Sequence, residues 1–122
     1  MTPTFRSPFV VILTAAVLAA ALHWGVGWMA TPLAGAVAGA WSARWHWGAG
    51  AASVGLAWAG ATVYTAAVAP GSFRVLIDTL GALGGNIPGV ALVALPVLVG
   101  SLLGALGGGI GRQLRLLWAA EA

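Results

Sequence analysis

The chain lacks cysteine and lysine, and only two of its 122 residues, Asp78 and Glu121, are acidic. Without cysteine, disulfides, thiolate metal sites and cysteine nucleophiles are excluded. Charged residues make up 6% of the chain, against about a quarter in soluble domains. In contrast, 61% of the residues are hydrophobic and the mean hydropathy is +1.00. This composition predicts an integral membrane protein.

The basic residues are few and scattered. The formal net charge of +3 comes from five arginines that stand singly along the chain. Nucleic-acid binding needs clustered phosphate contacts, so we expect no nucleic-acid partner. Abundant alanine, glycine and arginine without lysine are typical of a GC-rich bacterial genome.

Long apolar runs predict an all-α, polytopic fold that forms a single domain over residues 1–122. A helix needs roughly 20 apolar residues to cross a bilayer, and we expect about four crossings. The predicted spans are residues 8–29, 31–45, 47–69 and 87–111. The second span is short, so it either extends through residues 44–47, thins the bilayer or fails to cross completely. The apolar run near the N-terminus is longer than a signal-peptide core, which favours an uncleaved first helix.

Residues 72–85 predict an amphipathic helix lying at the membrane interface. Phe73, Leu76, Ile77 and Leu80 recur at helical spacing. The alternative is a broken segment that lines a cavity, since irregular backbone is tolerated at membrane depth only inside protein or beside water.

The arginines predict the orientation of the bundle. With four crossings, Arg6, Arg44, Arg112 and Arg115 share one side and Arg74 lies on the other. The positive-inside rule then predicts an inner-membrane protein with both termini in the cytoplasm. Five tryptophans are expected in the interfacial belts: Trp24, Trp28, Trp41, Trp45 and Trp47.

Small residues recur every four positions on three of the predicted helices. Such stripes let helix backbones approach closely in lipid. The predicted helix-packing residues are Gly35, Gly39, Gly55, Gly100, Gly104 and Gly108. The pattern leaves open whether they pack within one chain or between chains.

Two histidines are the candidate cofactor ligands. His23 and His46 are expected at opposite interfaces, about 30 Å apart, so one metal or haem cannot bind both. Each alone can serve as an axial ligand to a haem or chlorophyll-type pigment. However, tryptophans flank both, and an interfacial ring is the favoured interpretation. The sequence requires no cofactor and predicts no metal site.

Nothing in the sequence indicates an enzyme, because no pair of acids converges and no base stands near a serine or threonine. The leading hypothesis is a small structural or accessory subunit of a larger membrane complex that associates through its small-residue helix faces. Its partners would be the lipid bilayer and either other membrane subunits or further copies of itself. An oligomeric channel or carrier for a small solute is the first alternative, with Thr62, Tyr64, Thr65 and Asn86 as polar lining. A haem- or pigment-binding membrane subunit is the second.

Overall fold

Five α-helices follow one another along the chain in the computed structural model, which describes residues 7–121. They are α1 (Pro8–Gly25), α2 (Thr31–Trp41), α3 (His46–Val68), α4 (Pro70–Leu83) and α5 (Gly89–Glu121). A short 3-10 turn, Trp28–Ala30, leads into α2. Three helices, α1, α3 and α5, are long and apolar enough to cross a membrane. The predicted all-α fold is confirmed for the described residues, which contain three candidate crossings; four crossings are not confirmed.

Three helix ends differ by several residues from the boundaries of the predicted spans. The first helix ends at Gly25 rather than at 29, because the chain turns at Gly27, whose φ of +124° suits glycine and few other residues. The second ends at Trp41 rather than at 45, and its 11 residues give only about 17 Å of length. The last continues to Glu121 rather than stopping at 111.

The remaining helices lie close to the predicted ranges. α3 covers 46–68 against the expected 47–69, and Pro70 begins α4 directly after it. α4 covers 70–83 against the expected 72–85 and contacts only α3 and α5 among the described elements. Its surface is amphipathic, with Phe73 and Ile77 half-buried and Arg74 and Asp78 exposed. Whether it lies at a membrane interface stays a prediction.

α1 and α3 run parallel, and α2 runs antiparallel to both. One small cluster joins Val11 of α1 to Ala38 of α2 and Ala49 of α3. A second joins Ala19, Ala34 and Val54 further along the same three helices. The core therefore consists mainly of alanine and glycine, and the helices pack through their backbones more than through large side chains.

α5 closes the bundle by packing antiparallel to α3 and parallel to α2. Gly100 lies against Trp58, and Gly109 lies against Trp47. This pairing places residues 109–111 beside the start of α3, which is also the level at which α1 begins. We call this the termini end of the bundle. The opposite end, where α4 packs, is the α4 end.

Candidate functional site

The predicted small-residue stripes meet one another inside the chain. Gly104 of α5 lies between Gly35 of α2 and Gly50 of α3, and a Cβ built on Gly35 would stand 2.6 Å from the Gly104 carbonyl oxygen. Four residues further, Gly108 lies against Gly39 and against the carbonyl of His46. Real Cβ atoms do not approach this closely, so glycine is required for these contacts. We call this three-helix contact the glycine seam.

The other predicted packing residues extend the seam toward the α4 end. Gly55 faces the Ser101 hydroxyl, and a Cβ on Gly100 would lie 2.6 Å from Cγ of Trp58. The sequence analysis missed three members of the seam, Gly50, Gly107 and Gly111. Gly107 lies against the Pro32 carbonyl and Gly111 against that of Ala36. For Gly107 and Gly111, the GGGIG run at residues 107–111 was the available signal.

An arginine closes the end of α2. Nη1 of Arg115 donates a hydrogen bond to the Ala40 carbonyl oxygen at 3.0 Å. The last carbonyls of a helix lack intrahelical donors, and a cation near them also interacts favourably with the helix dipole. The sequence analysis assigned Arg115 only to membrane orientation, because a pairing across 75 residues leaves no local signal.

His23 of α1 packs against Trp58 of α3. Their ring centroids are 5.6 Å apart in an edge-to-face arrangement, with 66° between the ring planes. Trp58 is the thirteenth residue of the 23-residue α3, so His23 lies beside the middle of that helix rather than at its end. His46 begins α3, about 18 Å away along the axis at 1.5 Å per residue, which is less than the expected 30 Å.

Neither histidine has the support that a metal ligand usually has. Ligating histidines almost always donate their second ring N–H to an acceptor. Nδ1 of His23 and Nδ1 of His46 are both buried without a hydrogen-bond partner. Residues 7–121 also contain no group of three His, Asp or Glu side chains arranged to hold a metal ion.

A cavity of about 310 Å³ lies at the α4 end, beside the His23–Trp58 pair. We call it the His23 cavity. α1, α3, α4 and α5 all contribute to it, and its wall is mostly apolar. It is lined by His23, Trp58, Ala61, Thr62, Thr65, Phe73, Leu76, Ile77, Leu80, Leu92, Val93 and Pro96. α1 and α4 do not contact each other, so the cavity occupies the space between them.

The four predicted polar lining residues do not form one surface. Thr62 and Thr65 line the His23 cavity, and their hydroxyls donate to the carbonyls of Trp58 and Ala61, each at 2.9 Å. Tyr64 instead packs on Trp24, with ring centroids 5.2 Å apart. Asn86 is exposed in the α4–α5 turn, where it adopts a φ of +68°.

Each of the predicted interfacial tryptophans lies at a helix end, and about half or more of each residue is exposed. Trp41, Trp45 and Trp47 surround the α2–α3 turn at the termini end, and Trp24 and Trp28 surround the α1–α2 turn.

Compared with protein-family models, with curated proteins and with solved structures, the chain matches nothing.

Proposed function

We propose that the protein is an accessory subunit of a larger membrane complex and that it docks through the C-terminal end of α5. The glycine seam uses the small-residue faces within the chain, so these faces do not supply the docking surface. α5 has 33 residues, about 50 Å of helix, which exceeds the roughly 30 Å hydrocarbon core. The part of α5 that exceeds the hydrocarbon core lies on the C-terminal side of the glycine seam.

The segment 112–121 carries the proposal. Every residue in it is exposed, and it extends past the level at which Gly109 meets Trp47. Leu114, Leu117 and Trp118 are spaced three and four residues apart, which puts them on one face of the helix. Their exposed fractions are 46%, 61% and 73%. An apolar stripe on a projecting helix is the feature that a groove in a partner protein recognises.

Orientation forms part of the same proposal. Arg44, Arg112 and Arg115 lie at the termini end, whereas Arg74 lies on α4 at the other end; Arg6 is outside the described residues. The positive-inside rule favours a cytoplasmic termini end in an inner membrane. α2 runs antiparallel to α1, which supports a fourth, short crossing. The stripe on α5 would then face cytoplasmic or interfacial partners.

The alternatives have less support in the geometry. A polar channel lining would need Thr62, Tyr64, Thr65 and Asn86 on one surface, and only the two threonines share one. Their hydroxyl protons are already donated to backbone carbonyls. A haem or pigment would need a supported histidine, and both Nδ1 atoms lack partners.

The test compares matched variants after extraction from native membranes in mild detergent. The double variant Leu117→Ser with Trp118→Ser should lose the larger complex on a sizing column while its melting temperature is unchanged. Leu116→Ser is the control, because Leu116 is also exposed, at 50%, but lies off the stripe. A complex that survives the double change would refute docking through α5. Assembly when the chain is expressed alone would identify the partner as a second copy.

A further inference from the structure

Two exposed arginines meet at the turn between α2 and α3, at the termini end of the bundle. Arg44 lies within the turn. The turn is closed by a hydrogen bond of 3.3 Å that the Trp45 backbone N–H donates to the Ser42 hydroxyl oxygen. Arg115 of α5 reaches the same place, because its guanidinium donates to the Ala40 carbonyl oxygen at the end of α2.

Arg112 is brought to this turn by the register of the glycine seam. Gly104, Gly108 and Arg112 follow one another at intervals of four residues, so they share one face of α5. Gly104 lies against Gly50, and Gly108 lies against the carbonyl of His46. Because α5 and α3 are antiparallel, Arg112 falls about one helical turn before α3 begins. The contacts of the seam with α2 advance in parallel by the same four residues and lead to the same level.

No acidic side chain lies beside these three arginines. Asp78 is on α4 at the other end of the bundle, and Glu121 is six residues beyond Arg115 on α5, about 9 Å along the axis. Among the described residues, neither Arg44 nor Arg112 has a hydrogen-bond or ion-pair partner. Arg115 uses one of the five N–H donors of its guanidinium. The three side chains therefore form a positive patch with unused donors.

Tryptophans indicate the depth of this patch in the membrane. Trp41, Trp45 and Trp47 are exposed around the α2–α3 turn, and tryptophan rings are enriched at the level of the lipid headgroups. α3, which begins at this turn, is a candidate crossing helix. The arginines therefore stand at the depth of the headgroup phosphates.

The charge of the patch selects one kind of lipid. Guanidinium groups bind phosphate oxygens through parallel N–H···O hydrogen bonds. A zwitterionic headgroup carries its own cation beside the phosphate, whereas an anionic headgroup leaves the phosphate charge for the protein to neutralise. Basic pockets at helix ends are known to bind anionic headgroups for this reason.

We propose that the α2–α3 turn and the adjoining part of α5 bind the headgroup of an anionic phospholipid, with Arg44, Arg112 and Arg115 contacting its phosphate oxygens. The site depends on a membrane location but not on which side of the membrane holds the termini end. It does not use the docking stripe either, because Leu114 and Leu117 lie roughly 140° to 200° around α5 from Arg112.

Native mass spectrometry of the delipidated, full-length protein in a neutral detergent tests the proposal. The probes are dioleoylphosphatidylglycerol and dioleoylphosphatidylcholine, which have the same acyl chains and differ in headgroup charge. The wild type should bind phosphatidylglycerol at least about tenfold more tightly, since each arginine near an anionic surface contributes about fivefold. The double variant Arg44→Gln with Arg112→Gln should lose this preference and keep its affinity for phosphatidylcholine.

A matched pair of single variants separates the site from net charge. Arg112→Gln should weaken phosphatidylglycerol binding about fivefold. Arg74→Gln removes the same charge from α4 at the other end of the bundle and should bind as the wild type does. Arg115 is left unchanged, so its hydrogen bond to Ala40 is kept. Thermal melts without added lipid should coincide for all variants, which checks that each is folded.

Four results would overturn the proposal. The first is equal affinity of the wild type for the two lipids, and the second is an unchanged preference in the double variant. The third is an equal loss in Arg74→Gln and Arg112→Gln, which would assign binding to net charge. The fourth is displacement of phosphatidylglycerol by millimolar inorganic phosphate, which would make the patch a site for soluble phosphate. None of these results affects docking through α5, which is measured by complex size.

Discussion

Gly104 of α5 lies so close to Gly50 of α3 that the Gly50 carbonyl oxygen occupies the place where a side chain on Gly104 would begin. The obstructing atom belongs to the backbone, and the other neighbour, Cβ of Val54, is attached directly to the backbone of α3. Neither neighbour can move aside by changing a rotamer. Separation of the helices is the remaining way to accommodate a larger residue.

Gly104→Leu should therefore destabilise the isolated monomer. Overpacking typically costs about 1 to 3 kcal/mol, and backbone obstruction places this site at the upper part of that range. Thermal unfolding and limited proteolysis in detergent measure the effect. Gly60→Leu, at an open position on α3, is the control. If Gly104→Leu melted as the wild type does, the glycine seam would not form in the membrane protein.

Arg115→Ala should loosen the end of α2. The variant loses the hydrogen bond to the Ala40 carbonyl, and because this arginine is exposed we expect a cost of about 1 kcal/mol or less. Hydrogen exchange should accelerate locally, at the amides of residues 38–42. Arg112→Ala removes the same charge without this bond, and equal acceleration there would assign the effect to net charge alone.

His23→Phe should preserve assembly and leave the absorption spectrum of the purified protein unchanged. Phenylalanine keeps the edge-to-face contact with Trp58 and removes the unpaired Nδ1, so stability should stay equal or rise by about 1 kcal/mol. The measurements are a visible absorption scan and a thermal melt. Loss of a visible band in the variant would instead establish His23 as a pigment or haem ligand.

Cysteine labelling tests the orientation, and the absence of native cysteine makes the readout specific. Single cysteines at Ser7 and Ser42 should resist a membrane-impermeant maleimide applied from outside, whereas one at Ser72 should react. Ser7 precedes α1 and Ser42 follows α2 at the termini end, and Ser72 lies near the start of α4. Labelling of the cysteines introduced at Ser7 and Ser72 from the same side would contradict the proposed orientation.

The sequence predicts the helices better than it predicts the contacts between them. The predicted range of α3 agrees within one residue at each end, and at its C-terminal end Pro70 gives a local stop signal. The C-terminal end of α5 was not placed this well. Hydropathy falls after Gly111, whereas the residues that form the helix continue to Glu121. Hydropathy marks where lipid ends, and a helix does not have to end at the same residue.

In the candidate site, too, local features were easier to predict than the contacts between helices. A repeat of glycines predicts close packing wherever it occurs, so the members of the seam were largely identifiable in advance. The His23–Trp58 contact depends on the axial offset between α1 and α3, which no local pattern encodes. The cavity depends further on how α4 packs, and α4 contacts only α3 and α5 among the described elements.

The glycine seam also determines how this chain tolerates mutation. Every single-base change in a glycine codon that alters the amino acid adds a side chain or ends the protein. Along the seam each added side chain meets backbone, a large ring or, at Gly55, the Ser101 side chain. We therefore expect Gly35, Gly39, Gly104 and Gly108 to be invariant in natural variants. Accepted substitutions should concentrate on α4 and on the exposed surface of α1, away from the faces of α2, α3 and α5 that form the seam.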